Sequence, residues 1–149
     1  MAKYFAGLDV STQSCKIVII NSDEQTLEFV DRVNYDKDLV HYKTEQGVIP
    51  SDELGVSESN PLMWVEAVDE VFKKALEHGF PMEQIKAISV SGQQHGLVAI
   101  DSNGDLARSR SKLWNDFSTQ EECDILTEKI GGKKRMIAET GNTQRTGYT

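Results

Sequence analysis

This chain of 149 residues has no long apolar run, no excess of positive charge and only two cysteines. No segment approaches the roughly 18 apolar residues of a membrane-spanning helix, and no signal segment precedes the first predicted strand. The formal net charge is −8, which disfavours nucleic acid and anionic membranes as main partners. Cys15 and Cys123 lack metal-ligand spacing. We therefore expect no disulfide framework and a cytoplasmic protein.

Several common catalytic signatures are missing too. The sequence has no G-x-x-x-x-G-K-[ST] loop, no G-x-G-x-x-G fingerprint, no H-E-x-x-H motif and no nucleophile elbow. His41, His78 and His95 share no spacing, so a His-rich metal hydrolase is poorly supported. The candidates that remain lie mainly in turns beside predicted strands.

The sequence predicts an α/β domain with a mixed sheet. An antiparallel meander is predicted over about residues 4–10, 15–21 and 26–33, followed later by strands over 85–91 and 96–101. In the third strand, Leu27, Phe29 and Val33 alternate onto one face. No element is predicted between Asn34 and Asn60, a stretch that is either functional, mobile or a decorated surface loop.

Two helices are predicted. The first begins at Asn60 and Pro61 and ends at Gly79. Its apolar positions at helical spacing are Val65, Val68, Val71, Phe72, Ala75 and Leu76. The second begins at Ser118, where Ser118 and Glu121 predict a capping box, and it runs to about Ile130. A short helical turn is expected over residues 136–139.

The first hairpin carries the most informative residues. Asp9 ends an apolar strand, and Ser11, Thr12 and Gln13 form the polar turn that follows. Turn N–H groups bind anions, and a neighbouring carboxylate suits hydrated Mg²⁺ that bridges to phosphates. The alternative is an ordinary surface hairpin, because Asp, Ser and Thr are common in turns.

Three further segments are candidates for polyol recognition. Gln93, Gln94 and His95 follow a strand and lie between two glycines, which suits hydroxyl binding unless His95 only caps a carbonyl. Trp114 could pack on a sugar face while Asn115 or Asp116 binds hydroxyls; alternatively, Trp114 is core and Asp116 is loop surface. Arg145 offers donors for hydroxyls or phosphate within a tail that is otherwise typical of a loop.

In combination these segments resemble the amino-terminal part of a carbohydrate kinase of the FGGY family, with xylulokinases most similar. The resemblance is carried, in order along the chain, by residues 7–13 (GLDVSTQ), 62–67 (LMWVEA), 91–96 (SGQQHG), 114–116 (WND) with 118–119, 140–141 (TG) and 145–149 (RTGYT). It implies a ribonuclease-H-like domain of the sugar kinase/actin/Hsp70 type. It also implies transfer of the γ-phosphoryl group of ATP to a ketopentose, with Mg²⁺.

The resemblance assigns roles to individual residues. Asp9 would lie by the metal, through water, and by the phosphates, assisted by the turn of Ser11, Thr12 and Gln13. The residues assigned to the sugar are Gln94, His95, Asp116 and Arg145. Sugar and ATP are then the expected partners, with no nucleic acid and no membrane, and a homodimer is compatible with this assignment.

The same resemblance predicts that residues 1–149 are a truncated first domain on the sugar-binding side. The general base, an aspartate in this family, would lie beyond Thr149, and the adenosine site would lie in a second domain. The isolated piece is therefore expected to be inactive and to expose apolar surface. D-xylulose is the favoured substrate. The alternatives are ribulose, fuculose, gluconate or glycerol, or a non-catalytic sugar-binding module.

Overall fold

The computed structural model describes residues 3–148 and divides into two compact units. One unit holds the residues up to Pro50 and Ser59–Gln93, and the other holds Ser51–Glu58 and the residues from Gln94 onwards. The strands are β1 (Tyr4–Val10), β2 (Ser14–Asn21), β3 (Thr26–Asn34), β4 (Glu58–Ser59), β5 (Ile85–Gly92) and β6 (Ser111–Lys112). The helices are α1 (Tyr35–Asp38), α2 (Pro61–Glu77), α3 (Gln120–Lys129) and α4 (Lys133–Thr140), with 3₁₀ turns at Val40–Tyr42 and Met82–Gln84.

The first unit is built on a four-stranded mixed sheet in the order β3-β2-β1-β5. Strands β1, β2 and β3 form the predicted antiparallel meander, and β5 pairs parallel with β1. A parallel pair requires a crossover connection, and the chain reaches β5 by way of α2. The predicted α/β class and mixed sheet are confirmed.

The core of the first unit lies between one face of this sheet and α2. Its buried members include Leu8, Ile17, Ile19 and Val33 from the sheet. Leu27 was expected on the same face as Val33, but its side chain is 62% exposed. The register between β2 and β3 shifts at Ile19 and Ile20, and such an irregularity reverses the inward and outward alternation beyond it.

Helix α2 begins and ends where the sequence predicts. The side chain of Asn60 accepts a hydrogen bond from the N–H of Leu62 at 3.0 Å, and Gly79 follows the helix with a φ of +83°. The predicted buried face is only partly right, because Val65 and Leu76 are exposed. The buried residues of the helix are Pro61, Met63, Ala67, Val71 and Ala75. From Met63 onwards these residues are spaced by four and form a narrow stripe that faces the sheet.

The stretch without predicted elements contributes to the core. Tyr35 in α1 is fully buried, and Leu39 is buried just after that helix. The side chain of Asn34 caps α1 by accepting from the N–H of Lys37 at 3.1 Å. These contacts anchor the beginning of the stretch against the sheet.

The second unit departs most from the sequence predictions. The strand expected over residues 96–101 is wrong, since the segment makes only isolated bridges from Leu97 to Lys112 and from Ile100 to Leu106. A turn follows at Asp101, whose carboxylate accepts the N–H of Asn103 at 2.8 Å. The second unit thus has an irregular hairpin in place of a strand.

The two last helices also differ from the prediction at their starts. Helix α3 begins at Gln120, and the capping box of Ser118 and Glu121 is wrong. The hydroxyl of Ser118 donates instead to the carboxylate of Asp116 at 2.6 Å, so it is not available to cap the helix. Helix α4 covers twice the length of the predicted turn. Among residues 3–148, no helix combines the length and apolar character needed to cross a bilayer.

Candidate functional site

Asp9 projects from the face of the sheet that is opposite the core. Its neighbour Leu8 is buried while Asp9 is exposed, as the alternation of β1 requires. Across the sheet Asp9 lies opposite Lys16 of β2 and Ser91 of β5. Within residues 3–148 no hydrogen bond or ion pair engages its carboxylate. This free oxygen pair fits a hydrated Mg²⁺, which retains waters and takes few protein carboxylates.

The turn after Asp9 is closed by its own polar groups and by Tyr35. The N–H and hydroxyl of Ser11 both donate to the carbonyl of Ser14, at 3.0 and 3.1 Å. The Tyr35 hydroxyl donates to the carbonyl of Ser11 at 3.0 Å, and its N–H donates to the carbonyl of Gln13 at 3.1 Å. Hydrogen bonds from the buried Tyr35 therefore hold the predicted phosphate-binding turn in place.

The loop of residues 44–47 packs against the same turn. The carboxylate of Asp36 accepts from the Thr44 hydroxyl at 2.7 Å and from the N–H groups of Gln46 and Gly47 at 2.6 and 3.0 Å. Burial alone would raise the pKa of Asp36, but these hydrogen bonds outweigh it and hold that pKa below its ordinary value. At Gly47 a Cβ atom would lie 1.8 Å from the carbonyl oxygen of Thr12. Only glycine allows this approach.

Two buried groups beneath the turn keep their protons. Burial, and then the charge of Asp9, raises the pKa of Cys15 to about 11. Burial, followed by the charges of Cys15 and Asp9, also raises the pKa of Tyr35. A neutral Tyr35 remains a hydrogen-bond donor to the carbonyl of Ser11 at neutral pH.

The polar motif after β5 continues into the second unit. Gln93 belongs to the first unit, whereas Gln94 and His95 belong to the second. Gln94 is exposed and His95 is half-buried. His95 has a φ of +64°, a left-handed conformation that histidine adopts more readily than most residues but still rarely. Its ring packs against that of Tyr148, with the centroids 4.4 Å apart and the planes tilted by 42°.

The second unit contains a cavity of about 570 Å³ beside the predicted tail residue Arg145. Its walls include Phe117, Lys133, Arg145 and Tyr148. The Nε of Arg145 donates to the hydroxyl of Thr143 at 3.2 Å, and the side chain is otherwise exposed. Aromatic faces next to cationic donors are typical of sites for small polar ligands. Tyr148 joins this cavity to His95 through the ring contact.

Asp116 is buried, and its carboxylate oxygens accept hydrogen bonds from several protein donors. It accepts from the N–H of Ser57 at 2.8 Å, from the hydroxyl of Ser118, and from the ammonium of Lys112 at 3.2 Å. Burial would raise the pKa of Asp116, but these donors lower it below its ordinary value. The alternative with a core Trp114 and a surface Asp116 is wrong, since their exposed fractions are 51% and 2%.

The described residues contain no group of three or more His, Cys, Asp and Glu side chains that could hold a metal. His41 has another partner, the carboxylate of Glu66, at 3.0 Å.

Sequence reasoning missed two residues that shape the turn. Tyr35 carried no signal, because its partner Ser11 is 24 positions away. Gly47 lies in the stretch without predicted elements, and the reason for a glycine there is its close approach to Thr12. Gln93 was seen as part of a sugar motif, but its side chain reaches Thr12 as well. Such contacts depend on tertiary structure.

The meander, the parallel strand β5 and the crossover through α2 define a ribonuclease-H-like α/β domain of the kind found in sugar kinases and actin. The crystal structure of a "xyloylose kinase" from Brucella ovis matches with a TM-score of 0.76 and 25% identity, over 98% of this chain and 27% of that one. Residues 4–149 match the FGGY family of carbohydrate kinases, N-terminal domain. The chain belongs to this family.

Curated relatives agree with this assignment. The chain is 33% identical to the xylulose kinase of Saccharomyces cerevisiae, over 98% of this chain and 28% of the relative. It is also 33% identical to the xylulose kinase of Haemophilus influenzae, over 97% of this chain and 28% of the relative. The chain thus spans less than a third of the length of these relatives.

Proposed function

We propose that the full-length protein transfers the γ-phosphoryl group of ATP to a ketopentose, most favourably D-xylulose, to give D-xylulose 5-phosphate. The observation that carries the proposal is the exposed carboxylate of Asp9, which has no hydrogen-bond or ion-pair partner within residues 3–148, beside a turn that Tyr35 holds in place. Phosphoryl transfer depends mainly on positioning and charge stabilisation. A pre-arranged carboxylate and turn meet that requirement, and the similarity to xylulose kinases favours this sugar.

The first hairpin would serve the nucleotide. Asp9 would hold hydrated Mg²⁺ through its waters, while Ser11, Thr12 and Gln13 would place the phosphates. The metal, when bound, neutralises charge that builds up on the transferred group. Because no group among residues 3–148 hydrogen-bonds to or ion-pairs with Asp9, we expect its carboxylate to be available without rearrangement of these side chains.

The second unit would serve the sugar. His95 and Gln94 would bind hydroxyls, and Arg145 would approach from the cavity that Tyr148 shares with His95. Asp116 was predicted as a further hydroxyl ligand. Its oxygens already receive several protein donors, so we propose that it acts by holding the segment with Trp114 in place.

The remaining catalytic parts would lie elsewhere in the full-length protein. We expect the general base and the adenosine site in regions that correspond to the rest of the longer relatives. On that basis residues 1–149 are the sugar-binding part of a first domain and do not turn over alone. A cytoplasmic location and a homodimer stay predictions.

A sugar panel with the full-length protein tests the proposal. ATP consumption in the presence of Mg²⁺ is measured with D-xylulose, ribulose, fuculose, gluconate and glycerol. We expect the highest kcat/KM with D-xylulose. A clear preference for another sugar would move the substrate assignment within the family. Sugar binding without ATP consumption would overturn the kinase proposal in favour of a non-catalytic binding module.

A further inference from the structure

Both the oxygen and the nitrogen of the Gln93 side-chain amide form hydrogen bonds with the turn that contains Ser11 and Thr12. Its Oε1 accepts the hydroxyl proton of Thr12 at 3.1 Å, and its Nε2 donates to the carbonyl of Ser11 at 3.4 Å. The strand register explains the meeting, because β1 and β5 are parallel and Val10 lies opposite Gly92. Gln93, which follows β5, therefore lies next to Ser11 and Thr12, which follow β1.

The two contacts fix two different features of the turn. A threonine hydroxyl has one proton, and donating it to Gln93 sets the side-chain orientation of Thr12. The carbonyl of Ser11 has two acceptor positions, and they receive Gln93 and the hydroxyl of Tyr35. A carbonyl that is held by two donors resists rotation of its peptide plane. Gln93 is thus one of two side chains that set the direction of this peptide.

We propose that Gln93 is a positioning residue for the nucleotide-facing turn and not a sugar contact. This inference rests on the proposed function, in which Ser11 and Thr12 face the phosphates. The motif of residues 91–96 then serves both ligands: Gln93 orients the turn, while the following Gln94 and His95 recognise the sugar.

Steady-state kinetics of the full-length protein separate the two roles. Gln93→Met keeps the length of the side chain and removes both hydrogen bonds, so we expect kcat to fall about tenfold, as the loss of one or two neutral hydrogen bonds implies. The KM for the sugar should stay within about twofold of wild type. The matched control is Gln94→Met, which should raise the KM for the sugar. A raised sugar KM with unchanged kcat in Gln93→Met would overturn the proposal.

Hydrogen exchange provides a readout that does not depend on activity. In the ligand-free full-length protein, Gln93→Met should speed amide exchange in the peptide that covers residues 11–14, whereas Gln94→Met should not. Thr12→Val removes the same hydrogen bond from the other side and should loosen the same peptide, which keeps the test valid if Gln93→Met folds poorly. Unchanged exchange in Gln93→Met and Thr12→Val would refute the positioning role. If the wild type phosphorylates no sugar, the proposed function fails while the exchange data still decide this inference.

Discussion

Replacement of Gly47 by alanine should disturb the turn of Ser11, Thr12 and Gln13 from a distance. Gly47 has a φ of +78°, and a Cβ atom there would lie 1.8 Å from the carbonyl oxygen of Thr12. Loop and turn would have to separate by more than about 1 Å to reach an ordinary contact. The backbone conformation alone costs alanine about 1–2 kcal/mol, and overpacking adds about 1–3 kcal/mol.

The expected loss for Gly47→Ala is therefore about 2–5 kcal/mol in the free energy of unfolding, measured by urea titration. The kcat of the full-length protein should also fall, by up to about a hundredfold, because a displacement of this size misplaces reacting groups. The matched control is Gly79→Ala in the same unit. Gly79 has a φ of +83°, but nothing lies within 4 Å of its Cβ position, so only the backbone cost of about 1–2 kcal/mol applies. Equal stability and turnover in the two variants would refute the reasoning.

Three further predictions follow from the first unit. The folded-state pKa of Asp36 lies below its ordinary value of 3.8, so its hydrogen bonds add stability above that pH and are lost as the pH falls through the folded-state pKa. Asp36→Asn should then be less stable at neutral pH with a shallower acid limb in urea unfolding; an unchanged acid limb would contradict this. Cys15, whose pKa is about 11, should resist iodoacetamide at pH 8 in the native protein and react after denaturation, as mass spectrometry can show. The isolated chain should self-associate through the exposed β5 edge, where Ile88 and Val90 are 52% and 61% exposed; Val90→Lys should shift sedimentation towards monomer, and a clean wild-type monomer would argue against it.

Local signals in the sequence predicted the first unit well. The meander follows from alternation and polar turns, and the start of α2 follows from Asn60 and Pro61, because each depends on neighbours within a few residues. The same kind of signal failed for Leu27, which is turned outward by a shift in the pairing of two strands. The alternation of apolar and polar residues in β3 does not specify how β3 pairs with β2.

The position of Asp9 in the sheet could be predicted from the sequence, but the residues that hold the neighbouring turn and Asp116 could not. Asp9 lies one residue before the end of β1, and the apolar run that leads to it is a local signal in the sequence. The burial of Asp116 could not, because its donors Ser57 and Lys112 come from different segments of the second unit. A local reading also placed Ser118 as a helix cap, whereas tertiary contacts make it a partner of Asp116.

In the proposed function Asp9 serves the nucleotide and His95 serves the sugar. The most direct test compares Asp9→Ala and His95→Asn in the full-length protein, by steady-state kinetics with each substrate varied in turn. Asparagine tolerates the left-handed conformation of residue 95, so the change removes the imidazole without adding backbone strain. Asp9→Ala should lower kcat by about a hundredfold or more, and His95→Asn should raise the KM for the sugar with little effect on that for ATP. Full turnover in Asp9→Ala, or an effect of His95→Asn on ATP alone, would contradict the account.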